Sequence, residues 1–110
     1  MPKFLKNKDE FDTALSDAKA AKKWVVIDFT ASWCGPCKMI APKFEEMEKQ
    51  FTNVAFYKID VDDNDEVAEA QGISAMPTFK FFYDGVEEKS KTMKGANEAK
   101  LRSTLEEISK

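Results

Sequence analysis

The chain has 110 residues, 43% apolar and 34% charged, the size and composition of one globular domain spanning 1–110 with no room for a second of similar size. Its net charge of −3, from 17 basic and 20 acidic residues, lacks the basic field that nucleic acid and anionic membranes require, so neither is an expected partner. It has no histidine, which removes a histidine general base, Ser-His-Asp and Cys-His triads, and imidazole ligands for zinc or haem.

Lys3–Leu5 reads as a short first strand. Asn7 followed by Glu10 has capping-box spacing, and Phe11, Ala14, Leu15 and Ala18 then mark one apolar helical face. Trp24–Phe29 is nearly all apolar and rich in β-branched residues, the pattern of a strand buried on both faces. A second helix is expected from near Cys34 to Gln50, with Ile40, Phe44, Met47 and Phe51 inward and Pro42 kinking it. Val54–Asp60 reads as a strand, and Asn64–Ala70 as a short helix ended by Gly72. Asp84-Gly85 is a hairpin signal between strands Thr78–Tyr83 and Val86–Lys94. Asn97 is placed to cap a last helix carrying Leu101, Leu105 and Ile108 inward. The order β-α-β-α-β-α-β-β-α predicts an α/β fold, one mixed twisted sheet with helices on both faces.

No run approaches the roughly 20 apolar residues of a membrane span. The N-terminus, MPKFLKNKDE, lacks a secretory h-region, and the one arginine, Arg102, leaves no Arg-rich transit segment. A cytoplasmic address is the expectation.

Cys34 and Cys37 bracket Gly35-Pro36 where a buried strand gives way to a helix. Four readings compete. A structural disulfide closing so small a loop would contribute only about 2 kcal/mol in a chain-entropy model, and a reducing cytosol opposes it. A zinc or iron–sulfur half-site needs more ligands than two thiols and could be completed only in a dimer. Two inert buried thiols fit poorly with a Gly-Pro pair near the surface. Redox chemistry fits the helix start, where free N–H groups and the helix dipole favour a thiolate. In that reading Cys34 is the exposed nucleophile, and Cys37, one turn inside, is the shielded resolving thiol. Pro36 falls in the first turn, where its missing N–H costs nothing.

Asp28 interrupts an apolar strand. It is either a solvated or capping strand-end residue or a buried carboxyl with a raised pKa, able to carry a proton.

The segment Ala31-Ser32-Trp33-Cys34-Gly35-Pro36-Cys37-Lys38-Met39-Ile40-Ala41-Pro42 resembles the active-site segment of the thioredoxin family, in its cytosolic eukaryotic form. The resemblance continues through Lys58-Ile59-Asp60-Val61-Asp62, Met76-Pro77-Thr78-Phe79 and Gly95-Ala96, and so covers essentially the whole chain. It implies the thioredoxin fold, a central mixed β-sheet of about five strands flanked by four helices. It implies a redox-active Cys34–Cys37 pair in a loop completed by Trp33, Gly35 and Pro36. Asp28 becomes a buried acid–base group beneath Cys37, approached by Lys58 from the neighbouring strand. Met76-Pro77 becomes a cis bond facing the cysteines, whose backbone pairs with an extended client segment. Trp33, Met76, Gly95 and Ala96 become an apolar docking groove, with Gly95 allowing close backbone approach.

The implied activity is protein-disulfide reduction. The partners are disulfide-containing client proteins and an NADPH-dependent thioredoxin reductase, and no cofactor is expected on this chain. A non-enzymatic alternative is a redox-gated binding module. A net oxidant or isomerase is a further alternative, opposed by the Gly-Pro pair. Animal members often carry extra cysteines where Asn64, Gln71 and Ala75 stand here. The expectation is therefore a monomer or a weak non-covalent homodimer.

Overall fold

The computed structural model describes all 110 residues. The elements in chain order are β1 (Lys3–Phe4), α1 (Lys8–Ala20), β2 (Trp24–Thr30), α2 (Gly35–Gln50), β3 (Val54–Asp60) and α3 (Asp65–Ala70). They continue with β4 (Thr78–Tyr83), β5 (Val86–Glu87), a 3-10 turn (Lys89–Lys91), β6 (Met93–Lys94) and α4 (Glu98–Ile108). The sheet order is β1-β3-β2-β4-β5, with β6 also paired to β4. β1, β3 and β2 run parallel, and β4 is antiparallel to β2 and to both short strands.

Alternation along β2 explains its composition. Val26 joins a core with Ile40, Phe44 and Met47 of α2 and Leu101, Leu105 and Ile108 of α4. Val25, Ile27 and Phe29 join the opposite core with Phe11, Ala14 and Ala18 of α1 and Val67 of α3. Both faces of β2 are covered, so both sets of side chains must be apolar.

The helix starts are set locally. Asn7, Asn64 and Asn97 each accept the backbone N–H three residues on, satisfying one free donor per helix. Glu10 accepts from the Lys6 N–H and not from that of Asn7, so the capping box closes one residue early. Asn64 is buried and also donates to the Leu5 carbonyl at 3.1 Å, fastening α3 to the end of β1. α2 runs unbroken through Pro42.

Two strand expectations need correction. The first strand is two residues long, although the Leu5 N–H still donates to the Lys58 carbonyl at 2.8 Å. The predicted strand Val86–Lys94 is two short strands separated by the 3-10 turn. The Lys91 N–H donates to the Glu88 carbonyl at 3.1 Å and the Ser90 hydroxyl to the Glu88 carboxylate at 3.1 Å. These local bonds replace ladder bonds in a run with no apolar alternation. The sheet thus has six strands, β5 and β6 sharing one edge of β4. The hairpin holds: Asp84 and Gly85 have φ of 55° and 78°, as a type I′ turn requires.

One end of the sheet collects the residues of interest. β2 and β3 finish there, at Thr30 and Asp60, which are register partners. β4 starts there at Thr78, opposite Phe29, and β6 finishes there with Lys94 opposite Thr78. The Gly95 N–H then donates to the Pro77 carbonyl at 2.8 Å.

Candidate active site

Cys34 is the N-cap of α2, and Gly35 and Pro36 open its first turn. Cys34 and Cys37 form a disulfide, with Cα atoms 5.3 Å apart, and no cysteine remains free. The Cys37 N–H donates to Cys34 Sγ at 3.2 Å. The cap acceptor is therefore a sulfur, and the N–H that meets it also favours negative charge there.

The expected contrast between an exposed Cys34 and a shielded Cys37 is corrected: the residues are 5% and 2% exposed. Ala31 packs with both cysteines, and Val61 and Met76 pack against them. The loop before β4 covers Cys34 from the side, and its Met76 carbonyl oxygen lies 3.6 Å from Sγ. A disulfide sulfur carries no proton, so this is a contact and not a hydrogen bond. The adjoining residues are open: Gly35 and Pro36 are exposed, and Trp33 is 65% exposed.

Trp33 is oriented by a residue to which the sequence assigned no role. Its Nε1–H donates to the Asp62 carboxylate at 2.9 Å. Asp60, at the end of β3, accepts from the Asp62 N–H at 2.9 Å and the Asp63 N–H at 3.3 Å, an Asx turn that presents Asp62 to the ring. The only signal in the sequence is the acidic run after a strand, which does not say what it faces.

Met76-Pro77 is cis, as the resemblance implied. Pro77 is buried and Met76 half-buried. The buried Thr78 hydroxyl donates to the Ala75 carbonyl at 2.6 Å, pinning the residue before Met76. Gly95 has φ of 96°, which favours glycine, and a Cβ there would meet nothing within 4 Å. Its outer side is open to an approaching backbone. Ala96 is exposed and shares a shallow cleft with Met39, Ile40, Lys43 and Glu98. Met39, 76% exposed, extends this apolar rim beyond the residues singled out in the sequence.

Asp28 is fully buried, and neither carboxylate oxygen accepts a hydrogen bond from any protein group, Cys37 included. By alternation it shares the α2 and α4 face with Val26. Its register partners are Phe79 on β4 and Lys58 on β3. Desolvation pushes its pKa from 3.8 up to about 7, and the Lys58 charge holds it down in part. Lys58 forms no ion pair with Asp28 and lies with Nζ 5.1 Å from the centre of the Phe4 ring. It acts on Asp28 through its field and not through contact.

A disulfide across the first turn of a helix, at the carboxyl end of a central parallel strand and beside a cis-proline loop, defines a thiol–disulfide oxidoreductase. Comparison with known proteins agrees. A family model described as Thioredoxin matches residues 3–107. Thioredoxin of Geodia cydonium is 60% identical over 105 residues, covering 96% of each chain. The H-type thioredoxin of Oryza sativa subsp. indica is 52% identical, over 90% of this chain and 80% of the relative. The X-ray structure of Fasciola hepatica thioredoxin superposes with a TM-score of 0.90 at 40% identity, over 96% of this chain and 98% of that one. The chain belongs to the thioredoxin family. Disulfide reduction is its activity.

Proposed function

We propose that this chain is a general reductase of protein disulfides, with the two cysteines in distinct roles. The observation that carries the assignment is the Cys37 N–H directed at Cys34 Sγ, which singles out Cys34 as the sulfur that holds negative charge. In the reduced protein the Cys34 thiolate attacks one sulfur of a client disulfide. A Cys34–client disulfide forms, the client S–S bond breaks, and the departing client thiolate takes a proton from water. Cys37 then loses its proton with the Asp28 carboxylate as acceptor and attacks Cys34 Sγ. The mixed disulfide breaks and the second client sulfur leaves. The client has gained two electrons, and the Cys34–Cys37 pair is oxidised.

Asp28 suits the proton step because burial brings its pKa to about 7, where it can both accept and release a proton near neutrality. Lys58 tunes that pKa. The client lies over Trp33, Met76, Gly95 and Ala96, and its backbone pairs with the cis-proline loop. An NADPH-dependent thioredoxin reductase returns the pair to the dithiol, and the site of action is the cytoplasm. Monomer or weak non-covalent homodimer is the proposed state, since the chain has two cysteines and both belong to the active-site pair, leaving none outside it to link two copies.

The test is reduction of insulin disulfides driven by NADPH and a thioredoxin reductase. Turnover that requires both cysteines is expected. Reaction with small disulfides but none with insulin would overturn the reading.

A further inference from the structure

Lys80 lies on β4, three residues beyond Pro77. Its neighbours Phe79 and Phe81 belong to the α2 and α4 core, so Lys80 takes the opposite face, beside α3. Its side chain is only 11% exposed. The ammonium meets three acceptors: the Gln71 carbonyl at 2.8 Å, Gln71 Oε1 at 3.3 Å and Glu87 Oε2 at 3.1 Å. An ammonium has three protons to donate, and three acceptors match them. Gln71 ends α3, and Glu87 belongs to β5. One shielded cation thus joins a helix end, β4 and the strand beside it.

Gln71 also starts the segment that leads to Met76-Pro77. Gly72 through Pro77 have no regular structure. The segment is held by the Ile73 N–H on the Ala68 carbonyl at 3.0 Å, the Thr78 hydroxyl on Ala75, and the Gly95 N–H on Pro77. At its origin the Gln71 N–H also donates to the Val67 carbonyl and the Gly72 N–H to the Glu69 carbonyl, both at 2.9 Å, and Lys80 is the charged member of this set, donating to the Gln71 carbonyl. Stability alone does not call for a charge there. Replacing a buried ion pair by apolar side chains of similar volume commonly leaves a protein as stable. What an ammonium adds is direction, because it fixes where the Gln71 carbonyl sits.

We propose that Lys80 is a positioning residue for client docking. Its clamp on Gln71 and Glu87 sets where the segment leaves α3, and so holds the Met76 backbone beside Cys34 for a client to pair with. The proposal rests on the client-reductase reading above. It concerns docking and not the exchange between sulfurs, so it separates two kinds of substrate. A protein client must pair with Met76, whereas 5,5′-dithiobis(2-nitrobenzoate) needs only the thiolate.

The experiment compares unsubstituted protein, Lys80→Met and Lys80→Arg. Lys80→Met should raise KM for insulin about fivefold while kcat, and the rate of the pre-reduced protein with the small disulfide, stay within about twofold. Lys80→Arg keeps the charge and the donors and should restore KM. Amide exchange at Ala75 and Met76 should quicken in Lys80→Met, a readout that needs no client and so separates failure of the clamp from failure of the reductase reading. Insulin and small-disulfide rates falling together, or neither changing, would overturn the proposal. So would unchanged exchange. If Lys80→Met does not fold, Glu87→Gln removes the paired charge and should raise KM for insulin about twofold, and an unchanged KM there overturns the clamp equally.

Discussion

The Trp33 indole N–H donates to the Asp62 carboxylate at 2.9 Å, joining the active-site loop to the chain just after β3. With 65% of the residue exposed, packing alone does little to hold the ring. The hydrogen bond and the Asx turn at Asp60 supply the orientation. Asp62→Ala should therefore free the ring at small cost to the fold, on the order of 1 kcal/mol for one exposed hydrogen bond. KM for insulin should rise about threefold with kcat little changed, and Trp33 emission should lose anisotropy. Unchanged anisotropy would show that the ring is held by something else.

The two cysteines should differ as traps. Cys37→Ser keeps the attacking thiolate and removes the resolving thiol, so mixed disulfides with clients should accumulate. Cys34→Ser keeps only Cys37, whose sulfur is not the N-cap acceptor of α2 and receives no such N–H, and should trap almost none. Non-reducing electrophoresis of each variant incubated with oxidised insulin measures this. Equal trapping would remove the assigned roles.

Tryptophan emission should report the redox state through Trp33. That ring adjoins the disulfide, a quencher. Trp24 opens β2, about 20 Å along the strand from Thr30 at the strand rise, and it packs 5.1 Å from Tyr83 between ring centres. Comparing oxidised and reduced emission in Trp33→Phe and Trp24→Phe separates them. The change should vanish in the first and persist in the second.

Features decided within a few residues were legible in the sequence. The caps at Asn7 and Asn97, the Asp84-Gly85 turn and the two-sided burial of β2 each follow from local pattern, and each is found. The motif around Cys34 and Cys37 carried the family and most of the site. Val86–Lys94 misled because hydrogen bonds around Glu88 outcompete the ladder in a polar run. The burial of Cys34 was hidden because its cover, Met76 and Val61, arrives from loops 42 and 27 residues away. Asp62 at Trp33 and Gln71 at Lys80 were hidden for the same reason. Each is a polar residue in a loop until β3 and β4 bring it to its partner.

Asp28 should reduce stability in return for its chemistry, and the effect should depend on pH. Its pKa rises from 3.8 to about 7 on folding, first from burial, with Lys58 opposing. The native state therefore holds the proton more tightly than the unfolded chain does. That advantage is complete below about pH 4 and is lost as pH rises through about 7. At about 1.4 kcal/mol per pH unit between the two values, the ionised form is disfavoured in place by about 4 kcal/mol. Asp28→Asn does not titrate and keeps the size of the side chain. It should exceed the parent in stability at pH 8 by up to about that amount, and the gap should close toward pH 4. The same variant should reduce insulin more slowly at neutral pH, since Cys37 loses its proton acceptor, while the first attack by Cys34 proceeds. Lys58→Met should raise the Asp28 pKa further and move the pH of half-maximal turnover upward. Denaturant unfolding of the oxidised proteins at several pH values, with turnover measured alongside, checks all of these. If Asp28→Asn is less stable than the parent at pH 8 and equally active, the carboxyl serves the fold and not the reaction.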